Sequence, residues 1–260
     1  MEMIEAVGIL GTIGLGAVGV VLLVGMIYWI IKEAEKAKAR AAARLAAMVA
    51  FAERNGLVFR PEPNASHDEE FYHIELFQRG FAKRAYNTIS GIIENGELSG
   101  RVTAGDYTYK TRETYTTTDS KGRTRTRTRI VTHRFSYFIY DTGYAQMPDL
   151  LIRREGVFDR IASLFGKNDI DFESSEFSKK YYVKCDSRKF AYDVVHQRMI
   201  EFLLETEPGL IDIERGRICL SDGYSVWDAD RFVGSLGWTL EFLGRWPDYL
   251  VEDLEEGKLS

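Results

Sequence analysis

The chain has 260 residues, of which 45% are hydrophobic and 13% are aromatic. A disordered chain carries fewer apolar and aromatic side chains, so this composition excludes that class and predicts a folded protein. The formal net charge of −5 is unevenly distributed, because residues 101–134 hold nine Lys or Arg against three Asp or Glu, whereas residues 201–260 hold five against fourteen.

The first predicted element is a transmembrane helix from Val7 to Ile31, which contains no charged residue. A helix of this length extends about 37 Å, enough to cross a hydrocarbon core of about 30 Å. Glu2 and Glu5 stand where a cleaved signal peptide has positive charges, which favours a permanent anchor. By the positive-inside rule, the N-terminus lies outside and the following flank lies in the cytoplasm, because that flank carries Lys32, Lys36, Lys38, Arg40 and Arg44. We therefore expect a single-pass protein of the cell membrane.

Small residues recur within this span. Gly8, Thr12 and Gly16 are four residues apart, and Gly19 lies close to the same face. Such a strip lets a second helix approach closely, which predicts self-association in the membrane. Glycine is also common in membrane helices that do not associate, and both interpretations stay open.

Residues 32–56 are predicted to form a helical stalk. They are rich in Ala, Lys, Arg and Glu, which favour helices, and Asn55-Gly56 is a typical helix stop. The remaining chain divides into a β-rich region at 57–149 and a mixed region at 150–260, although 57–260 can equally be one domain.

The β-rich region alternates apolar and polar residues with a period of two, which indicates antiparallel strands. The predicted strands form a meander or a partly closed barrel and cover Phe71–Phe77, Arg84–Glu94, Leu98–Thr117 and Arg123–Tyr140.

Helices and strands are mixed after residue 149, so the predicted fold class is α+β. A short helix carries Val157, Phe158, Ile161, Leu164 and Phe165 on one face. The next predicted elements are a strand at Tyr181–Cys185 and one helix that Ser187 caps and that carries Phe190 to Leu203. A hairpin from Leu210 to Leu220 follows. The last predicted helix carries Phe232 to Leu243 and is capped by Asp228 or Asp230.

The segment Phe165-Gly-Lys-Asn-Asp-Ile-Asp-Phe-Glu173, followed by Glu176–Val183, resembles a motif of uncharacterised prokaryotic membrane-anchored proteins. Segments like Asn55–Phe59, Asn87–Gly91 and Gly105–Tyr109 follow the span in the same order. The chain departs from that pattern by a longer basic hairpin after Tyr109. The resemblance implies an anchored topology and a shared domain of unknown function, and it supplies neither a reaction nor a ligand.

The most unusual local feature is the alternation of arginine and threonine from Arg123 to Arg129. In a strand, this pattern places Arg123, Arg125, Arg127 and Arg129 on one face. If a four-residue turn pairs Thr118 with Arg123, Arg112 joins the same row and no acid neutralises it. Clustered guanidinium groups match phosphates or an acidic partner. The same charges also keep exposed strand edges from aggregating, and both interpretations stay open.

Other candidate chemistry is weaker. The segment His67–His73 gathers two imidazoles and three carboxylates, but its spacing fits no metal motif and it is typical of a solvated loop. Cys185 and Cys219 show no disulfide or zinc-ribbon spacing and are predicted to be reduced core residues. Only Cys185 with His196 suggests nucleophilic catalysis, and nothing local recommends that pair. No metal and no cofactor is predicted.

A tether, a polarised charge and a basic hairpin predict a membrane-anchored cytoplasmic adaptor rather than an enzyme. Its expected partners are membrane lipid, an unidentified protein or a second copy of the chain, while nucleic acid is disfavoured because the domain is tethered to a membrane. The alternative is a membrane-bound enzyme, for example a hydrolase, whose site is assembled from distant residues.

Overall fold

The computed structural model describes residues 2–95, 98–119, 121–144, 146–154 and 170–258, with side chains from Leu22 onward except those of Asp68, Asn95 and Leu98. Two compact units are present, Met1–Ala46 and Ala47–Ser260. The predicted short helix with Val157, Phe158, Ile161, Leu164 and Phe165 lies outside the described residues, as does most of the Phe165–Glu173 motif.

A single helix, α1, runs from Glu2 to Arg54 and thus contains both the predicted span and the predicted stalk. It ends beside Asn55, and Gly56 follows with a φ of +66°, in the left-handed region that favours glycine. Among the described residues, no helix is both long enough and apolar enough to span a membrane. The side chains of residues 7–21, which include Gly8, Thr12, Gly16 and Gly19, lie outside the described part of the chain, so the anchor stays a prediction.

The fold class is α+β, as predicted. The described chain contains one eight-stranded antiparallel sheet in the order β1-β2-β3-β4-β8-β7-β5-β6. Its strands are β1 (Val58–Arg60), β2 (Phe81–Asn95), β3 (Leu98–Thr118), β4 (Thr124–Asp141), β5 (Leu150–Arg154), β6 (Tyr181–Cys185), β7 (Leu210–Glu214) and β8 (Arg217–Ser221). The first four strands form a meander, in which β2, β3 and β4 match predicted strands and β1 was not predicted. The predicted hairpin β7-β8 joins this meander to β5 and β6.

Seven α-helices accompany the sheet in the described chain. After α1 they are α2 (His67–Phe71), α3 (Ser175–Lys180), α4 (Arg188–Val194), α5 (Gln197–Thr206), α6 (Ala229–Leu243) and α7 (Asp248–Glu255). Asp228 caps α6 as predicted, because its side chain accepts a hydrogen bond from the backbone N–H of Arg231 at 2.9 Å.

Alternating side chains of the sheet form two hydrophobic cores. The larger core contains Phe138, Ile152 and Ile211 of the sheet together with apolar residues of α4 to α7 and the end of α1. The smaller core contains Tyr107 and Tyr137 of the sheet together with residues near α2. The sheet is therefore apolar on both faces along its centre.

The predicted strand Phe71–Phe77 is wrong. This segment forms the end of α2 and a 3-10 turn at Glu75–Gln78. Phe71, Ile74 and Phe77 are three residues apart and all buried, which suits helical turns packed on the sheet better than a period of two. The interpretation of His67–His73 as a solvated loop is also wrong, because His67 and His73 are both buried.

The helix predicted after Ser187 is two helices. Ser187 caps α4 as expected, accepting a hydrogen bond from the Phe190 backbone N–H at 3.3 Å. A second cap follows at His196, whose Nδ1 accepts a hydrogen bond from the Met199 backbone N–H at 3.4 Å and starts α5. Histidine is not among the strongly preferred cap residues, so this boundary left no clear sequence signal.

Candidate functional site

Strands β3 and β4 extend beyond the sheet as a two-stranded ribbon. Residues 111–118 and 124–131 pair only with each other, because β2 pairs with β3 no further than Lys110 and β8 pairs with β4 only at 137–141. Eight paired residues on each strand span about 26 Å. We call residues 111–131 the basic ribbon.

The register of the basic ribbon differs from the predicted one by one residue. Thr118 pairs with Thr124 rather than with Arg123, which lies in the turn. The Asp119 side chain shapes this turn, since its Oδ1 accepts hydrogen bonds from the backbone N–H groups of Lys121 and Arg123, both at 2.9 Å. An Asp side chain that binds backbone groups in this way stabilises a local turn.

This shift places two acids beside the arginines, so the expectation of an unneutralised row is wrong. Arg129 lies opposite Glu113 and pairs with it at 2.9 Å. Arg123 pairs with Asp119, also at 2.9 Å. Both pairs are largely exposed to solvent, where such ion pairs contribute little to stability.

The five predicted arginines therefore do not form one row. Arg125, Arg127 and Arg129 share an exposed face of the ribbon, on which Tyr115 lies opposite Arg127. Arg112 lies on the other face, with its guanidinium 5.2 Å from the centre of the Phe81 ring. Neither Arg125 nor Arg127 forms an ion pair within the described chain, so these two carry the unneutralised charge.

The residues considered for catalysis are not arranged for it. Cys185 is buried at the end of β6, and burial raises the pKa of its thiol to about 11, which keeps the thiol protonated. His196 contacts the Arg245 carbonyl through Nε2 at 2.8 Å and caps α5 through Nδ1. Both ring nitrogens are thus used in structural contacts.

The described side chains of the His67–His73 segment are not gathered as metal ligands. In the described part of the chain, no group of three or more His, Cys, Asp or Glu side chains is placed to hold a metal ion. His67 lies among the rings of Phe71, Phe77, Tyr107 and Tyr137, with ring centres 4.7 to 5.7 Å away. Burial lowers the pKa of His67 to about 3, so this imidazole is neutral at pH 7.

A groove that no sequence motif indicated lies between α6 and the ends of α5, β7 and β8. Its volume is about 470 Å³, within the range of small-molecule sites, roughly 300–1,000 Å³. We call it the α6 groove. Its apolar lining consists of Pro208, Leu210, Leu220, Tyr224, Trp227 and Trp238.

A positioned arginine lies on this groove. The Nη1 of Arg231 donates a hydrogen bond to Oδ2 of Asp222 at 3.0 Å, and its guanidinium lies 4.8 Å from the centre of the Trp227 ring. Asp222 is buried and also accepts hydrogen bonds from the backbone N–H groups of Tyr224 and Ser225 and from the Ser225 hydroxyl. The carboxylate therefore fixes the guanidinium, while the Arg231 side chain remains 47% exposed.

A second arginine lies at the same groove. Arg154 pairs with Glu207 at 3.1 Å, and Lys180 pairs with the same carboxylate. Glu207 adopts a left-handed conformation with a φ of +47°, which is uncommon for a residue other than glycine. The chain then passes through Gly209, where a Cβ atom would lie only 2.8 Å from Cα of Asp222. Glycine thus permits the close approach that brings Asp222 to the groove.

One signal of this groove was present in the sequence. Helix α6 contains Gly234 and Gly237 in its interior, where glycine is unfavourable by about 1 kcal/mol relative to alanine. A Cβ atom at either position would meet no described atom within 4 Å, so packing within the described chain does not require these glycines. Gly234 lines the groove.

No protein-family model matches the chain, and no curated protein matches it. Among solved structures, the chain is similar to the crystal structure of the mycobacterial trehalose monomycolate transport factor A, TtfA. The TM-score is 0.48 and the sequence identity is 9%, over 77% of this chain and 90% of that one. A likeness of this degree defines neither a family nor a function, and the resemblance to membrane-anchored prokaryotic proteins stays a prediction.

Proposed function

We propose that the chain is a membrane-anchored, non-enzymatic adaptor whose basic ribbon binds anionic lipid headgroups at the cytoplasmic surface. One observation carries this proposal: Arg125, Arg127 and Arg129 lie on one exposed face of a ribbon that extends beyond the sheet. Alternate residues of a strand are about 6.6 Å apart. The three guanidinium groups therefore form a short row, in which Arg125 and Arg127 offer two neighbouring forks to phosphates while Arg129 pairs with Glu113.

The anchor in this proposal is the uncharged segment Val7–Ile31, with the basic residues that follow it. A tether raises the effective concentration of the domain at the lipid surface, so a weak contact becomes populated. A basic side chain near an anionic leaflet contributes about 1 kcal/mol. Two or three such contacts are therefore sufficient to hold the ribbon at the surface.

The experiment places a fluorophore at the ribbon tip of the full chain in lipid vesicles. Cys185 and Cys219 are buried, and burial raises the pKa of both thiols, so an introduced Thr118→Cys is the thiol that reacts at neutral pH. Quenching by nitroxide-labelled headgroups then reports contact. We expect quenching in phosphatidylcholine mixed with phosphatidylglycerol and little in phosphatidylcholine alone.

The decisive variant is Arg125→Gln with Arg127→Gln. Losing two charges should lower the ratio of bound to free ribbon about 30-fold, as about 2 kcal/mol implies. Arg188→Gln with Arg198→Gln is the matched control, since both residues are exposed and belong to α4 and α5 rather than to the ribbon. Equal quenching in both lipid mixtures, or quenching in the ribbon variant as strong as in the wild type, would contradict the lipid contact. An unquenched ribbon in both lipid mixtures would instead favour an acidic protein partner.

The anchor is tested separately. The full chain should remain with the vesicles after an alkaline carbonate wash, because a spanning helix is not held by surface charge. Release of the wild-type chain by this wash would disprove the anchor. The quenching experiment would still test, independently, whether the ribbon binds anionic lipid.

A further inference from the structure

We propose that the α6 groove binds a small amphiphile with an apolar body and a single anionic group, such as an alkyl phosphate or a fatty carboxylate. This site is separate from the basic ribbon and does not depend on the ribbon's function. Three features support it: an apolar lining, an arginine fixed in place by a buried carboxylate, and a helical glycine that leaves space on the groove wall.

The apolar lining selects the body of the ligand. Trp227, Trp238 and Leu220 present aromatic and aliphatic surface within one concave site. Burying such surface together with an alkyl chain is favourable by about 25 cal/mol per Å². The hydroxyl of Ser235, which also lines the groove, already donates to the Phe232 carbonyl at 2.6 Å. A purely polar ligand would therefore find few free partners on this wall.

The two arginines select the charge of the head group. Arg231 uses one of its five N–H donors on Asp222, and its half-exposed guanidinium retains donors for a ligand. Arg154, which also lines the groove, shares the single carboxylate of Glu207 with Lys180, so these three side chains carry one net positive charge beside the groove. An anion is thus favoured over a neutral or cationic head group.

Gly234 leaves room for the ligand against the helix backbone. A glycine inside a helix usually has a reason, such as another group that packs closely against the helix backbone. No described side chain packs against Gly234 in this way. Filling this position should block the groove without disturbing the helix, because leucine favours the helical conformation more than glycine does. Gly237 offers a matched control, since it lies one turn further along α6, is equally free of described neighbours and does not line the groove.

The test uses the full chain in nanodiscs of phosphatidylcholine and a dodecyl phosphate that carries a photoactivatable diazirine. We expect saturable crosslinks on peptides covering 206–210 and 220–238, with competition by unlabelled dodecyl phosphate. Gly234→Leu should weaken labelling at least tenfold, whereas Gly237→Leu should leave it unchanged. Arg231→Gln should remove the preference for dodecyl phosphate over dodecanol while labelling by a dodecanol probe persists.

Several results would overturn this proposal. Equal labelling by a dodecyl trimethylammonium probe would show that the groove does not select an anion. Full competition by inorganic phosphate would show that no apolar body is needed. Unchanged labelling of Gly234→Leu, with native near-ultraviolet circular dichroism, would place the probe elsewhere. The comparison of probe charges uses the wild-type chain, so it decides the question even if a variant fails to fold.

Discussion

Arg129 donates two hydrogen bonds to Oε2 of Glu113 across the basic ribbon, from Nε at 3.1 Å and from Nη2 at 2.9 Å. This pair withdraws one of the three arginines on the exposed face from other anions. It thus sets how much positive charge the ribbon offers to a membrane.

Glu113→Gln should strengthen the contact between the ribbon and anionic lipid. Removing one negative charge is worth about 1 kcal/mol at an anionic surface, or about fivefold in the ratio of bound to free ribbon. The free energy of unfolding should change by less than about 0.5 kcal/mol, because the pair is exposed. Headgroup quenching of the labelled ribbon measures the first effect and urea denaturation the second. Glu205→Gln, an exposed acid of α5, is the control, and an equal gain there would contradict the role of Glu113.

Ser136→Ala should destabilise the fold by about 2–3 kcal/mol. The buried Ser136 hydroxyl donates to Oδ1 of Asp106 at 2.6 Å and accepts from the Trp227 backbone N–H at 3.0 Å. Its removal takes one partner from each of two buried polar groups. Urea denaturation of the full chain checks this value. Thr128→Ala, exposed on the same strand, should cost less than about 0.5 kcal/mol.

Two glycine-to-alanine substitutions should have opposite effects. At Gly100 a Cβ atom would lie 2.7 Å from the Asp141 carbonyl oxygen and would also meet the Tyr140 ring, so Gly100→Ala should cost about 1–3 kcal/mol. At Gly237 a Cβ atom meets no described atom within 4 Å, so Gly237→Ala should stabilise α6 by up to about 1 kcal/mol. Thermal unfolding of both variants tests the pair. A change of the melting temperature in the same direction for both variants would contradict these contacts of Gly100 and Gly237.

His67→Phe should reduce the acid sensitivity of the fold. Burial lowers the pKa of His67 to about 3 in the folded protein, against about 6.5 in an unfolded chain. Between these values the unfolded chain binds the extra proton, so stability is present above pH 6.5 and is lost as the pH falls toward 3. The slope is about 1.4 kcal/mol per pH unit for one proton.

The comparison requires urea denaturation of both proteins at pH 8 and at pH 5. At pH 8 the difference between them reports packing alone, because the imidazole is neutral in both folded and unfolded chains. At pH 5 the free energy of unfolding of the variant should rise by about 2 kcal/mol relative to that of the wild type. This value follows because pH 5 lies about 1.5 units below the ordinary imidazole pKa. The same difference at both pH values would show that His67 is not responsible for acid unfolding.

Local patterns predicted local structure well. Alternation identified β2, β3 and β4, and Ser187 and Asp228 identified two helix starts, because each signal arises within a few residues. The register of the basic ribbon was missed by one residue, since it depends on the Asp119 side chain drawing Arg123 into the turn. Loop length alone does not reveal such a contact.

The α6 groove was not predictable as a site, because no segment holds more than a part of it. Asp222 approaches Arg231 only once β8 and α6 are packed, and Gly209 contributes by permitting contact with a residue 13 positions away. The interior glycines of α6 were visible in the sequence, but a glycine does not say what lies beside it. The acidic composition of residues 201–260 likewise did not predict that Asp222 pairs with Arg231 and Glu207 pairs with Arg154.

The strand order of the sheet also has a consequence for synthesis on the ribosome. The inner edge of β4 at 137–141 pairs with β8, whose last residue, Ser221, is translated 80 residues after Asp141. At roughly 5–20 residues per second, translation of these residues takes about 4–16 s, during which this edge of the meander has no partner strand. During that interval the apolar segment Tyr137–Tyr140 is open to pairing with another nascent chain. Rapid completion of the β7-β8 hairpin, or cover by a chaperone, therefore protects the yield of folded protein.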